Sequence, residues 1–244
     1  MQSECGQQSG LVATDGAAFS GSDDSVPNLL LSRRRVLLGA GLLALGGCRS
    51  SGRAAVSGIG GERTVGSGDL IYSSVVDEGH RLPAVPFRKI KRQFLRRRVS
   101  DPTGRAPGTV VVDLANRFLY FVEPGGKAIR YGVGIGRDGF SWSGEGEIRY
   151  GRKWPGWTPP AEMLSRKPEL AKYRGGMPGG IENPLGARAL YIFRNGADTL
   201  YRVHGSPEWW TVGEAASSGC IRLINQDIID LYSRVRPGAR IVVG

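Results

Sequence analysis

The chain has 244 residues, enough for one ordinary domain of about 100 to 200 residues plus an additional segment. Its 40% apolar and 23% charged residues are globular in character, and 38 Gly with 14 Pro argue for many turns and exclude a coiled coil. A net charge of +11 suits polyanionic neighbours, while Cys5, Cys48 and Cys220 are too far apart, with only His80 and His204 to help them, for a metal centre; neither metal nor cofactor is expected.

Ser32-Arg33-Arg34-Arg35 precedes the apolar run Val36 to Leu45, followed by Gly46-Gly47-Cys48. This order reads as an export signal to the periplasm. Ten apolar residues fall short of the roughly 20 that a membrane-spanning helix needs, so a permanent span is the weaker reading. The arginines resemble a twin-arginine signal, and Leu45-Gly46-Gly47-Cys48 resembles a lipobox, whose cysteine becomes lipidated and anchors the chain to a membrane. A plain cleavage near the small residues, with Cys48 incidental, is the alternative. Residues 1–48 are thus assigned to an N-terminal extension and signal. The rest has a net charge of +12, and export makes nucleic acid an implausible partner.

Residues 49–104 read as flexible linker and basic arm. The first part is rich in Ser, Gly, Arg and Ala without periodicity, and His80 is expected to be an exposed linker residue. The run Arg88 to Arg98 sets Phe87, Ile90, Phe94 and Leu95 at roughly helical spacing among its cations. It could lie on a membrane surface, or dock its apolar side on the next domain and leave its charges in water; the second reading is preferred.

The compact domain is expected over 105–244. Thr109 to Leu114 and Arg117 to Val122 read as a hairpin, with further strands at 128–135, 146–150, 189–193, 199–203 and 240–243. Helical patterns cover 159–173 and 225–234, the second with Asn225 as N-cap and Ile228, Ile229, Leu231 and Tyr232 along one side. Strand–helix alternation and Gly-rich phosphate loops are absent, so the fold is predicted to be mostly β with a few short helices.

The chemistry concentrates between His204 and Cys220, the single histidine and single cysteine of the presumed domain. A thiol needs a base or a cation nearby to become a thiolate near neutral pH, and imidazole is the usual partner. The residues alone leave a catalytic Cys/His pair and a buried structural thiol about equally supported.

His204-Gly205 and Ser217-Ser218-Gly219-Cys220-Ile221-Arg222-Leu223, with sixteen positions separating His204 from Cys220, resemble the catalytic motif of the L,D-transpeptidase (YkuD-type) family, close to its ErfK/YbiS branch. Ser218 departs from the motif, where a histidine often stands. Pro107 to Val122, Trp154 to Met163 and Asn183 to Leu190 resemble other signatures of that family, so the likeness covers about 105–244. The resemblance implies a β-sandwich-like catalytic domain that cleaves the bond between meso-diaminopimelate and D-alanine in peptidoglycan stem tetrapeptides. The acyl group would pass to an amine, giving a 3→3 cross-link or attachment of an envelope lipoprotein. An L,D-carboxypeptidase of the same fold and a non-catalytic wall-binding module are the alternatives.

In such a reaction Cys220 would be the nucleophile and His204 the base, with the Gly205 carbonyl holding the imidazole tautomer. Backbone N–H groups of Gly219 and Cys220 would receive the oxyanion. Arg222 could hold a substrate carboxylate or form an ion pair within the domain. Ser218 would hydrogen-bond locally. Trp209 and Trp210 could wall the donor groove, and Trp154 and Trp157 could form a lid, although packing is the commoner fate of tryptophan. Glu208 and Glu214 are expected to be solvated.

Overall fold

A computed structural model describes residues 67–136, 143–217 and 219–244. The signal, Cys48, the first part of the linker and Ser218 lie outside the described residues. In chain order the elements are α1 (Ser67–Ile71), β1 (Val75–Asp77), β2 (His80–Leu82), β3 (Arg97–Ser100), β4 (Val110–Asp113), β5 (Phe118–Glu123), β6 (Lys127–Gly132) and β7 (Ile135–Gly136). They continue with β8 (Gly144–Lys153), α2 (Ala161–Arg166), β9 (Arg188–Arg194), β10 (Ala197–Ser206), β11 (Ala215–Ser217), β12 (Ile221–Ile224), α3 (Asn225–Arg234) and β13 (Ala239–Val243). None of the helices among the described residues is long and apolar enough to cross a membrane.

Nine strands form one mixed sheet in the order β12-β10-β9-β8-β13-β4-β5-β6-β3. The expected hairpin is present as β4–β5, antiparallel from Val110↔Phe121 to Asp113↔Phe118. Its burial alternates as a half-buried strand requires: Val110 and Val112 face the core, while Val111 and Asp113 are partly exposed. The sheet curls back on itself. Gly134, just beyond β6, exchanges two backbone hydrogen bonds of 2.9 Å with Arg222 of β12, near the opposite end of the strand order. The core fills the enclosed space with Val110, Leu119, Tyr131, Ile148, Ile192, Val203, Ile221 and Leu223, closed by Ile228 and Leu231 of α3. Mostly β with few short helices is therefore the observed architecture.

The expected 159–173 helix is α2 followed by a 3-10 segment, Pro168–Tyr173; the proline, lacking an N–H, starts a new turn after Lys167. α3 spans 225–234 as expected, but Asn225 is its first helical residue and makes no capping bond. Its Oδ1 instead accepts the Ala187 N–H at 2.9 Å.

Over its described part, the 49–104 segment is not a flexible linker. β3 pairs with β6 and becomes the edge strand of the sheet. Tyr72, Val85, Ile90 and Phe94 form a second buried cluster with Val212 and Ile224. The arm thus docks its apolar side on the domain and leaves Arg88, Lys89, Lys91, Arg92, Arg97 and Arg98 exposed. Polar ties reinforce the seat. The Tyr72 hydroxyl donates to Asp227 at 3.2 Å, Arg96 lies 3.4 Å from Asp227 and 3.0 Å from Asp230, and Gln226 donates to the carbonyls of Ser73 and Pro83.

His80 is likewise not an exposed linker residue: it belongs to β2, and its ring stacks on Trp154 with centroids 4.0 Å apart. The β1–β2 hairpin is clamped by Asp77, which takes two hydrogen bonds from Arg188, at 2.7 and 2.8 Å, and one from the Trp154 indole at 2.8 Å. Trp157 is buried, so these two indoles act in packing.

Candidate active site

β10 and β12 lie side by side and parallel, in the register Val203↔Ile221, His204↔Arg222, Gly205↔Leu223. Residues opposite one another in a sheet project to the same face, and the faces alternate along each strand. Val203, Ile221 and Leu223 fill the core face, which leaves His204 and Arg222 on the other. Cys220 immediately precedes β12, next to Ile221, which pairs with Val203 of β10, so it stands at the entry of the strand that runs alongside His204. Both residues are nearly inaccessible, His204 at 3% and Cys220 at 4% exposure. Cys220 is disulfide-bonded in this structure, and a free thiol at this position belongs to the reduced protein.

The imidazole Nδ1 lies 2.6 Å from the Gly205 carbonyl oxygen. A carbonyl only accepts, so Nδ1 carries the proton and Nε2 presents a lone pair. Burial pushes the His204 pKa down to about 3, and the positive charges of Arg222 and Arg202 push the same way; the carbonyls of Gly205 and Pro184 oppose them. The imidazole is therefore neutral throughout the physiological range.

Its mount is equally constrained. A Cβ on Gly205 would stand 2.3 Å from Asn225 Oδ1 and 2.8 Å from Ile228 Cγ2. A Cβ on Gly186 would meet the same Asn225 oxygen at 2.2 Å and the Gly205 backbone at 2.5 Å. Two glycines and one asparagine thus let the 186–187 backbone, β10 and α3 cross within touching distance, which fixes the carbonyl that orients the imidazole.

Gly219 has φ +123°, a conformation natural to glycine, and sets the bend at which the chain enters Cys220. The loop from His204 to Cys220 is held by backbone bonds from Gly213 to Val133 and from Ile135 to Glu214, and by β11 pairing parallel with β7. Phe94 of the arm braces it. A Cβ on Gly213, φ +85°, would lie 2.3 Å from the Phe94 ring.

Arg222 forms an ion pair with Glu208 at 2.7 Å, so of its two expected roles the intradomain pair is the observed one, and Glu208 is engaged rather than merely solvated. Trp209 is half-buried and packs against the second cluster; Trp210 is 58% exposed, with its ring perpendicular to that of Trp209. Ser218 lies outside the described residues. Sequence reasoning missed the parts played by Asn225, Phe94, Gly213 and the Glu208 partner of Arg222. Their contacts span 14 to 119 residues along the chain, and no local spacing marks them. Among the described residues there is no group of His, Cys, Asp and Glu that could hold a metal.

Comparison with known proteins gives this geometry a context. The chain is 32% identical over 137 residues to "Probable L,D-transpeptidase YcfS" of Escherichia coli K12, covering 54% of this chain and 42% of that protein. It is 33% identical over 144 residues to "Probable L,D-transpeptidase YbiS" of the same strain, covering 54% and 43%. The chain thus matches less than half the length of these curated relatives. A solved structure from Brucella melitensis, described as a probable carnitine operon oxidoreductase, is 43% identical and covers 65% of this chain and 99% of that one, with a TM-score of 0.44. At a TM-score below 0.5, family membership stands on the sequence match instead. Residues 107–243, more than half of the chain, match the model of the YkuD L,D-transpeptidase catalytic domain, and the chain belongs to that family.

Proposed function

We propose that the protein is a cysteine acyltransferase acting on peptidoglycan stem peptides, with Cys220 as nucleophile and His204 as base. The observation that carries this reading is the parallel β10–β12 register, which puts His204, its Nδ1 held by the Gly205 carbonyl, on the strand next to the one that Cys220 enters. In the reduced enzyme, the Cys220 sulfur attacks the carbonyl carbon of the meso-diaminopimelate residue as its proton passes to His204 Nε2. The Gly205 and Pro184 carbonyls favour the protonated ring that forms. Backbone N–H groups at Gly219 and Cys220 receive the oxyanion. Collapse of the tetrahedral adduct breaks the C–N bond, and the departing D-alanine amine takes the proton from His204. An acceptor amine then attacks the thioester, gives its proton back through His204 to the sulfur and leaves with the acyl group. A stem-peptide amine yields a 3→3 cross-link, and a lysine of an envelope lipoprotein yields attachment.

The reading includes export through the Arg33 to Cys48 signal and tethering at a lipidated Cys48, supported by the order of arginines, apolar run and cysteine. The reaction is tested by incubating reduced protein with a disaccharide-tetrapeptide and weighing protein and products. A thioester on Cys220 and a cross-linked dimer are expected. Tripeptide alone would make water the acceptor, and unaltered substrate with unmodified Cys220 would overturn the proposal.

A further inference from the structure

The docked arm leaves a feature that the acyl-transfer reading does not use. Ile71, Tyr72, Phe87, Ile90 and Leu95 line a groove of about 400 Å³ whose remaining lining comes from Arg88, Arg92 and Arg96. Arg96 is already committed to Asp227 and Asp230, and Arg88 pairs at 3.1 Å with Asp69, the carboxylate of neighbouring α1. Arg92 of the lining and Lys89 and Lys91, the chain neighbours of Ile90, are exposed and have no carboxylate partner among the described residues. Leu70, the neighbour of Ile71 on α1, is 78% exposed.

We propose that this face seats on an anionic phospholipid bilayer, the Lys89, Lys91, Arg92 and Arg88 charges meeting headgroup phosphates while Leu70 and the groove take up acyl-chain surface. Each part is explained by that partner and by no simpler one. A purely acidic polymer would need the cations but would leave an apolar hollow and a bare leucine facing charge. A purely apolar partner would have to strip water from at least four cations. An anionic membrane surface satisfies both, since each basic side chain near it contributes about 1 kcal/mol and apolar groups gain by leaving water at the headgroup boundary. The arm does this without inserting as an amphipathic helix, because Phe94 is spent on the domain core.

The test uses the reduced full chain with vesicles of phosphatidylcholine alone or mixed with phosphatidylglycerol. Because other parts of the chain could hold vesicles, contact is read at the face itself: Leu70→Trp carries a reporter at the exposed position, and brominated acyl chains quench an inserted indole. Quenching of Leu70→Trp beyond that of wild type is expected with anionic vesicles, fading in high salt. Adding Lys89→Glu, Lys91→Glu and Arg92→Glu should weaken that quenching by at least about tenfold in lipid concentration, with an unchanged melting temperature since all three side chains are exposed. No quenching at position 70 while the chain cosediments with vesicles would overturn the proposal. So would equal quenching by neutral vesicles, or Leu70→Trp emission that responds to soluble polyglutamate and not to vesicles, which would mark a polymer-binding face.

Discussion

Arg222 lies directly across the β10–β12 register from His204 while its guanidinium is ion-paired to Glu208, on the loop that joins His204 to Cys220. The cation that depresses the basicity of the imidazole is thus partly neutralised by a carboxylate fixed to the same loop.

This arrangement makes the pH profile informative. With His204 as the proposed base, kcat/KM should fall on the acid side as the imidazole protonates. Arg222→Gln removes a charge that opposes protonation and should move that limb upward by on the order of one pH unit; Arg222→Lys should leave it near its original place. Glu208→Gln leaves the Arg222 charge less compensated and should move the limb the other way. If Arg222 acts only by gripping a substrate carboxylate, Arg222→Gln will raise KM and leave the limb where it was.

Phe94 and Gly213 offer a structural test of how the arm braces the catalytic loop. Phe94→Ala removes a buried ring and should cost about 3 to 5 kcal/mol, with kcat falling as the loop loses its brace. Gly213→Ala combines a side chain at φ +85° with a Cβ 2.3 Å from the Phe94 ring. In the Phe94→Ala background the steric part of that cost disappears, so chemical denaturation should show the double variant to be more stable than the sum of the two single losses predicts. Additive losses would mean that the ring and the loop are not coupled.

Much of this fold could be read in the sequence because it is local. Apolar and β-branched runs mark β4, β5, β9 and β13 within one residue and β10 within three, and Ile228 and Leu231 mark the buried stripe of α3. The seating of the arm was legible only in part: Phe87, Ile90, Phe94 and Leu95 suggested docking, but Ser73 to Leu82 has the composition of a linker. It is ordered by distant partners, Asp77 on Arg188 and the His80 ring on Trp154. Asn225 resembled a helix cap because asparagine before an apolar stripe usually is one. The crowding of Gly186 and Gly205 around it gives its oxygen another use. His204 and Cys220 could be named from spacing, whereas the neutral state of the imidazole depends on burial and on Arg222, which no spacing reports.

The tether can be tested independently of catalysis. If Cys48 is lipidated, the acyl chains hold the protein at the membrane by an apolar attraction that salt does not screen. Cys48→Ser should shift the protein from the membrane fraction to the soluble periplasmic fraction in high salt, where charge attraction is screened. Unchanged fractionation under those conditions would refute the lipid anchor.

Asp227 supplies a stability prediction of defined sign. It is fully buried at the seat of the arm, and burial pushes its pKa up to about 7 against the pull of Arg96 and the Tyr72 hydrogen bond. Between pH 4 and 7 the folded protein therefore holds a proton that the unfolded chain, with an ordinary carboxyl near 3.8, has released. Stability from this group is fully present below pH 4 and is lost as pH rises through 7. His204 works the other way over part of the same range. Its folded pKa of about 3 lies below the ordinary 6.5, so its contribution is complete above 6.5 and is lost as pH falls toward 3. The two slopes oppose each other in wild type, and a single melting curve cannot separate them. Asp227→Asn removes one and keeps the other, replacing a protonated carboxyl by a neutral group of the same shape. The melting temperature of Asp227→Asn relative to wild type should start near zero at pH 4, climb steadily to about pH 7 and level off above it. A difference that stays flat, or becomes more negative with rising pH, would mean that Asp227 is ionised in the folded protein and that its pairing with Arg96 outweighs the cost of burial.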